Sequence, residues 1–284
     1  MITEKIDLFD YFHVQRKEET KGFLTVIRHE QMPEMPTKTV HPAMLVLPGG
    51  GYAMVSQREA EPVAVEYFTK GFDTFVLDYD VAPLGYPAQI KEAAMAMIYI
   101  RRNAAAFDIL PDKIAAVGFS AGGHLLGCIS TLWDDPAVQE LFGAECDKVR
   151  PDASVYSYAV ISSDPAIYHG YSFRNFCKDT VNQDDYSIDK KVRPSCSPAF
   201  IWANTPDPTV PSPNSVRLYL AYTEAGVPAE LHIFRDGGHG LSTCNEETAA
   251  SLPLSAACTY SRPWIDLSLN FLKTAGFTPV KAEK

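Results

Sequence analysis

The chain has 284 residues, 46% hydrophobic and 21% charged, with a formal net charge of −10. That length and composition suit one large soluble α/β domain, or two small ones, with enough apolar sequence to bury a core without staples. The acidic balance argues against a nucleic acid or an anionic membrane as the main partner, and no uncharged apolar run approaches the length that spans a bilayer.

The six cysteines include no C-x-x-C pair, so neither a zinc site nor a thioredoxin-type motif has support, and no metal is expected. Residues Met1 to Asp7 lack a basic region followed by an apolar stretch. The expectation is a reduced, cytoplasmic protein. A homodimer is compatible with the sequence, but no segment marks an interface.

Residues 1–20 are mixed in character, carry the charge run Arg16-Lys17-Glu18-Glu19, and read as a surface arm ending in a turn. Gly22 to Arg28 alternates as an early strand, followed by a Pro-rich connection from Met32 to Pro36. Ala43 to Leu47 is an apolar strand that runs directly into Pro48-Gly49-Gly50-Gly51-Tyr52. Glu59 to Lys70 reads as a helix stopped at Gly71, and Thr74 to Tyr79 as the next strand. Pro87 opens a long helix that reaches about Ala106 and presents a broad apolar face.

Ile114 to Val117 is a short apolar strand, and Ala121 to Leu132 reads as a helix. Ser154 to Ile161 is a further strand. Residues 162–197 show no clean period and read as an insertion over the carboxyl edge of the sheet, partly helical and acting as a lid. The strand Ala199 to Ala203, the helix Ser215 to Ala225, the strand Glu230 to Phe234 and the amphipathic helix Pro263 to Thr274 complete the chain. There is no internal repeat. Strands alternating with helices predict one α/β domain over residues 1–284, a mostly parallel central sheet with helices on both faces.

Between the strand ending at Val117 and the next helix stands Gly118-Phe119-Ser120-Ala121-Gly122. It fits the G-x-S-x-G pattern of a nucleophile elbow, where a sharp strand-to-helix turn lifts a serine hydroxyl clear of the sheet. The pattern alone is a weak signal, and the strand–turn–helix context gives it meaning. A serine hydroxyl needs a base. His239, in Gly237-Gly238-His239-Gly240 after a strand, sits where a loop could swing an imidazole over the elbow. The histidine needs a carboxylate to fix its tautomer, and Asp207, in the loop after the preceding strand, qualifies. Asp164 is the main rival acid. His124 lies too far along the elbow helix to serve as base and reads as structural, and His169 sits in the insertion where it could line a pocket. Three consecutive glycines after a buried strand suit a loop of exposed N–H groups, so Gly50, Gly51 and Ala121 are the expected oxyanion donors.

These four motifs together resemble the α/β-hydrolase family of small carbohydrate esterases, those of the acetylxylan esterase or xylanase-associated esterase type. The glycine loop is similar to the His-Gly-Gly-Gly loop of the hormone-sensitive-lipase group, with Pro48 in place of the histidine. Family members often read Tyr-Arg-Val-Ala-Pro where this chain has Tyr79-Asp80-Val81-Ala82-Pro83. Pro206 also precedes Asp207 where a second acidic residue is common, and residues 241–261 are polar and irregular. The resemblance implies a serine carboxylester hydrolase acting on short acyl esters, acetyl first, of an alcohol that is a sugar. Its partner would be a small-molecule ester, and it would need no cofactor. A peptidase of the prolyl-oligopeptidase type could use the same triad. A non-catalytic binding protein on this fold is the third reading.

Overall fold

The computed structural model describes residues 1–16, 20–35, 37–248 and 256–282. Residues 17–19 of the charge run, Pro36, part of the polar stretch after His239 and the side chain of Cys258 lie outside the described residues. In chain order the elements are β1 (Ile2–Asp7), α1 (Leu8–Phe12), β2 (Phe23–Arg28), β3 (Thr39–Leu47), α2 (Glu61–Phe68), β4 (Asp73–Asp78), α3 (Ala88–Phe107), β5 (Ile109–Phe119) and α4 (Ala121–Thr131). There follow α5 (Pro136–Phe142), β6 (Ala153–Ser157), α6 (Gly170–Cys177), β7 (Ala199–Asn204), α7 (Pro213–Glu224), β8 (Ala229–Phe234), α8 (Ala256–Ser261), α9 (Trp264–Thr274) and β9 (Val280–Lys281).

The strands form one sheet in the order β1-β2-β4-β3-β5-β6-β7-β8, with β9 added to the start of β3. Along that order, neighbours from β4 through β8 pair in parallel, whereas β1 with β2, β2 with β4 and β9 with β3 are antiparallel. The central strands are apolar on both faces, as a parallel sheet covered on both sides requires. Leu45, Leu47 and Ala116 face a core shared with α3, α4 and α7. Met44, Val46 and Val117 face a second core shared with α2 and α9. The expected mostly parallel α/β-hydrolase sheet with helices on both faces is therefore present. No helix among the described residues is long and apolar enough to cross a membrane.

Several boundaries differ from expectation for local reasons. Residues 1–20 are not simply a surface arm: β1 pairs with β2 along six residues, and Asp7 caps α1 by accepting from the N–H groups of Phe9 and Asp10. The strand is hard to read because it is an edge, with Thr3, Glu4 and Lys5 in solvent and only one neighbour to satisfy. Helix α2 starts at Glu61, because Gln57–Glu59 form a single 3-10 turn that sends Glu59 inward. Strand β6 ends at Ser157, since Tyr158 turns out of the sheet at φ 36°. Helix α5 is not among the expected elements; its start is set by the Asp135 carboxylate, which accepts from the Ala137 N–H, with Pro136 in the first turn.

Asp80, the departure from the family pattern, is 2% exposed and lies against Glu92 of α3. Its N–H donates to Glu92 Oε2 at 2.7 Å, and its own Oδ1 accepts from the Lys21 N–H at 2.6 Å. Burial, then the hydrogen bond to Asp80, pushes the Glu92 carboxyl well above the usual carboxylate range. Burial and the neighbouring Asp80 side chain both favour the protonated form of Glu92. Because its folded-state pKa is raised, the stabilisation from protonated Glu92 is complete below the ordinary value of 4.5 and is lost as pH rises through the folded value. Glu92→Gln supplies the same donor and acceptor at every pH. Its urea midpoint should gain on wild type progressively as pH rises above the ordinary value of 4.5, and parallel pH profiles for the two proteins would contradict the assignment.

Candidate active site

Every residue expected at the site lies at the carboxyl end of the sheet. Ser120 sits between β5 and α4 at φ 51°, ψ −117°, a conformation a serine adopts only when its surroundings impose it. The surroundings are tight. A Cβ on Gly122 would stand 2.1 Å from the Leu47 carbonyl oxygen and 2.3 Å from that of Pro48. A Cβ on Gly118 would meet the Gly122 carbonyl oxygen at 2.5 Å. The Ser120 N–H donates to the Ser157 carbonyl at 3.0 Å, and its carbonyl accepts from Val160 N–H at 3.0 Å. The turn is thus pinned between the end of β3 and the segment after β6.

The hydroxyl of Ser120 donates to His239 Nε2 at 2.8 Å, and His239 Nδ1–H donates to Asp207 Oδ2 at 2.7 Å. The Asp207 side chain is fully buried. Its second oxygen accepts from the Thr209 and Val210 N–H groups at 2.8 and 2.9 Å. That Asx-type turn explains the local sequence: Pro208 has no N–H to offer, and the next two residues supply the donors. The His239 loop is held by Asn204, the last residue of β7. Its Nδ2 donates to the Gly238 carbonyl at 2.8 Å, and its Oδ1 accepts from the Ser261 hydroxyl at 2.7 Å.

The glycine loop passes above Ser120. Gly50 and Gly51 adopt φ of 123° and 64°, and their N–H groups donate no backbone hydrogen bond among the described residues. Ala121 opens α4, where the first N–H groups have no partner within the helix. The Gly49 N–H is occupied, donating to Glu59 Oε2 at 2.8 Å. The three expected donors thus cluster at the elbow, and Gly49 is not one of them. Gly50, Gly51, Ser120 and His239 line a cavity of about 700 Å³ that also takes in His169, Tyr171, Met54 and Thr209.

The rival residues are engaged elsewhere. Asp164 pairs with Arg217 and accepts from the Ala166 N–H. His124 is buried, accepting from the Tyr52 hydroxyl and donating to the Tyr186 carbonyl, both at 2.8 Å, and burial lowers its pKa to about 4. It is a neutral structural side chain. His169 lines the cavity as expected, with Nδ1 2.8 Å from the Ser172 hydroxyl oxygen, and burial lowers its pKa. Residues 162–197 contain α6, which reaches the glycine loop: Asn175 Nδ2 donates to the Gly51 carbonyl at 2.9 Å.

One group of possible metal ligands occurs among the described residues: His29, His41 and Asp73, within 4.8 Å of one another. It lies at the opposite, amino edge of the sheet. The two imidazoles stack with centroids 4.1 Å apart and planes 4° apart, so their in-plane lone pairs cannot meet at one ion. Sequence reasoning missed Glu59, Tyr158 and Asn204. No local pattern marks them, because each has a partner distant in sequence.

A family model described as BD-FAE matches residues 31–163. The acetylxylan esterase of Xylanibacter ruminicola is 31% identical over 217 residues, which is 74% of this chain and 42% of that protein. The acetyl ester-xyloside bifunctional hydrolase of Caldicellulosiruptor lactoaceticus is 30% identical with a TM-score of 0.74, covering 90% of this chain and 89% of that one. MGS-M1, an α/β hydrolase from a Medee basin deep-sea metagenome library, is 31% identical with a TM-score of 0.76 over 96% of this chain and 97% of that one. The chain belongs to the α/β-hydrolase family. It spans less than half the length of the curated relatives that it matches at about that identity. Within the family fold, the serine turn follows β5 and the histidine loop follows β8.

The packing at the elbow separates two glycines that look alike in sequence. Gly122→Ala forces a methyl into backbone carbonyls that cannot move aside and should destabilise by about 3 kcal/mol or more. At this chain length that is a fall of roughly 6 °C in Tm. A Cβ on Gly238 meets nothing within 4 Å among the described residues, so Gly238→Ala should unfold within about 2 °C of wild type. Thermal unfolding followed by circular dichroism checks both, and equal losses would contradict the packing account.

Proposed function

We propose that this protein is a serine carboxylester hydrolase that works through an acyl-enzyme. The observation that carries the reading is the unbroken hydrogen-bond chain from Ser120 through His239 to the buried Asp207 at the floor of an open cavity. Ser120 Oγ attacks the ester carbonyl carbon while His239 Nε2 takes its proton, and Asp207 holds the imidazolium that forms. The carbonyl oxygen becomes an oxyanion, met by the N–H groups of Gly50, Gly51 and Ala121. The tetrahedral adduct collapses, His239 returns the proton to the leaving alkoxide, and the alcohol departs. Water then attacks the acyl-enzyme with His239 again as base, releasing the acid and free Ser120. Each proton taken is returned, so no metal or organic cofactor enters the scheme.

Acetyl is the acyl group we assign, and a carbohydrate hydroxyl the alcohol. This finer assignment rests on the motifs and on relatives named for acetylxylan and acetyl ester-xyloside hydrolysis. We treat residues 1–284 as one domain and residues 162–197 as the segment that covers the site. His169 and Tyr171 contribute to the cavity wall from that segment. Cys128, Cys146, Cys177 and Cys196 are free thiols, which fits a reducing compartment such as the cytoplasm.

The test is hydrolysis of p-nitrophenyl acetate, butyrate and octanoate. The expected result is fast acetate turnover that falls steeply with chain length. Ser120→Ala should lower kcat at least about 10⁴-fold, since residual rates come only from binding and the oxyanion hole. Asp207→Asn should keep the geometry but favour the wrong imidazole tautomer, lowering kcat about 10⁴-fold. Wild-type turnover by Ser120→Ala would overturn the reading. Turnover of amides in preference to esters would move it to a peptidase.

A further inference from the structure

Glu59 is a buried acid at the site that the triad does not use. It is 3% exposed and ends the 3-10 turn after the glycine loop. Its Oε2 accepts from the Gly49 N–H at 2.8 Å, and its Oε1 accepts from the Tyr158 hydroxyl at 2.7 Å. Tyr158 Oη in turn accepts from the Ser242 N–H at 2.9 Å, three residues beyond His239. The Tyr158 ring meets the His239 imidazole edge-on, with centroids 5.0 Å apart. One carboxylate is therefore joined to the loop carrying the oxyanion donors and, through a single phenol, to the loop carrying the base.

We propose that Glu59 is a positioning residue for the reaction. Through Gly49 it sets the glycine turn over Ser120, and through Tyr158 it sets the His239 ring, so that donors and base keep one register. This rests on the serine-hydrolase reading above.

The direction of the hydrogen bonds explains why the residue is an acid. Donors arrive from both sides, an amide N–H at one oxygen and a phenol O–H at the other. A carboxylate accepts at both ends, whereas a glutamine accepts at one and donates at the other. Burial, then the facing Glu59 charge, raises the Tyr158 pKa, so the phenol remains a donor. No cation pairs with Glu59 among the described residues. The neighbouring Arg58 donates instead to the Thr248 carbonyl at 3.1 Å. An unpaired buried carboxylate is costly, and an apolar contact would hold two loops together at less expense. A group that must fix polar backbone at the reaction centre accounts for keeping it. The Gly49 bond also explains why the hole uses the next two glycines: the Gly49 N–H points away to Glu59.

The test uses Glu59→Gln, Tyr158→Phe and the double variant, with Ser120→Ala as control. Turnover of p-nitrophenyl acetate is expressed per active site, counted by titration with an organophosphate. A small displacement of catalytic groups costs up to about 100-fold, so each single variant should lose about 10- to 100-fold in kcat per titrated site, with KM within about threefold. The double variant should be about as slow as the slower single one, because both break one chain. If both single variants turn over within about twofold of wild type per titrated site, the proposal falls, whatever their thermal stability. If Glu59→Gln does not fold, Tyr158→Phe decides by the same readout. A fully active Ser120→Ala would instead overturn the underlying hydrolase reading and is seen separately.

Discussion

The backbone of Ser120 is the constraint on which the site depends. A serine at φ 51° is strained, and it stays there because Gly118 and Gly122 leave no room for another path between β3 and α4. The same contact that squeezes the turn brings the end of β3 against the start of α4. The glycine loop therefore begins beside the Ser120 turn. Proximity of donor loop and hydroxyl is a result of sheet order, with β3 and β5 as adjacent parallel strands. Chemistry and packing share one set of atoms here, so the elbow tolerates little change.

Around that turn the polar groups are satisfied from within the fold. Asp207 is removed from water, yet three donors reach it: one imidazole N–H and two backbone N–H groups. No Lys or Arg pairs with it among the described residues. Glu59 is handled in a similar way on the other side of Ser120, by one backbone N–H and one phenol. Two acids flank the elbow, each held by oriented neutral dipoles instead of an ion pair. Dipoles fixed by packing need little reorganisation as charge moves, which is what a reaction passing through an oxyanion and an imidazolium requires. The Asp80–Glu92 pair solves a related problem differently: each side chain accepts one backbone N–H, and burial favours the protonated form of Glu92.

How legible each part is in the sequence follows from how local its cause is. Ser120, Asp207 and His239 each stand in a short motif at a strand end, because a sharp turn, an Asx-type turn and a glycine loop are all set by near neighbours. The parallel core is readable for the same reason, as both faces of β3 and β5 are apolar. β1 is not, because an edge strand needs only one good face and exposes the rest. Glu59 reads as an ordinary helix start, and its role appears only when Tyr158 and Gly49, far apart in sequence, converge on it. Asn204 is hidden in the same way, since its partners are Gly238 and Ser261. Asp80 stands out in sequence as a departure, but the residue that accommodates it, Glu92, does not.

The central claim is that Ser120 carries the acyl group between the two half-reactions. The most direct measurement is an acid quench during turnover of an activated acetyl ester, followed by peptide mass spectrometry. The account predicts one acetyl group, on the peptide and residue of Ser120, absent in Ser120→Ala and lost on further incubation in water. Turnover with no acetylated Ser120 under conditions that slow deacylation, or a kinetically competent acetyl group on another nucleophile, would contradict it.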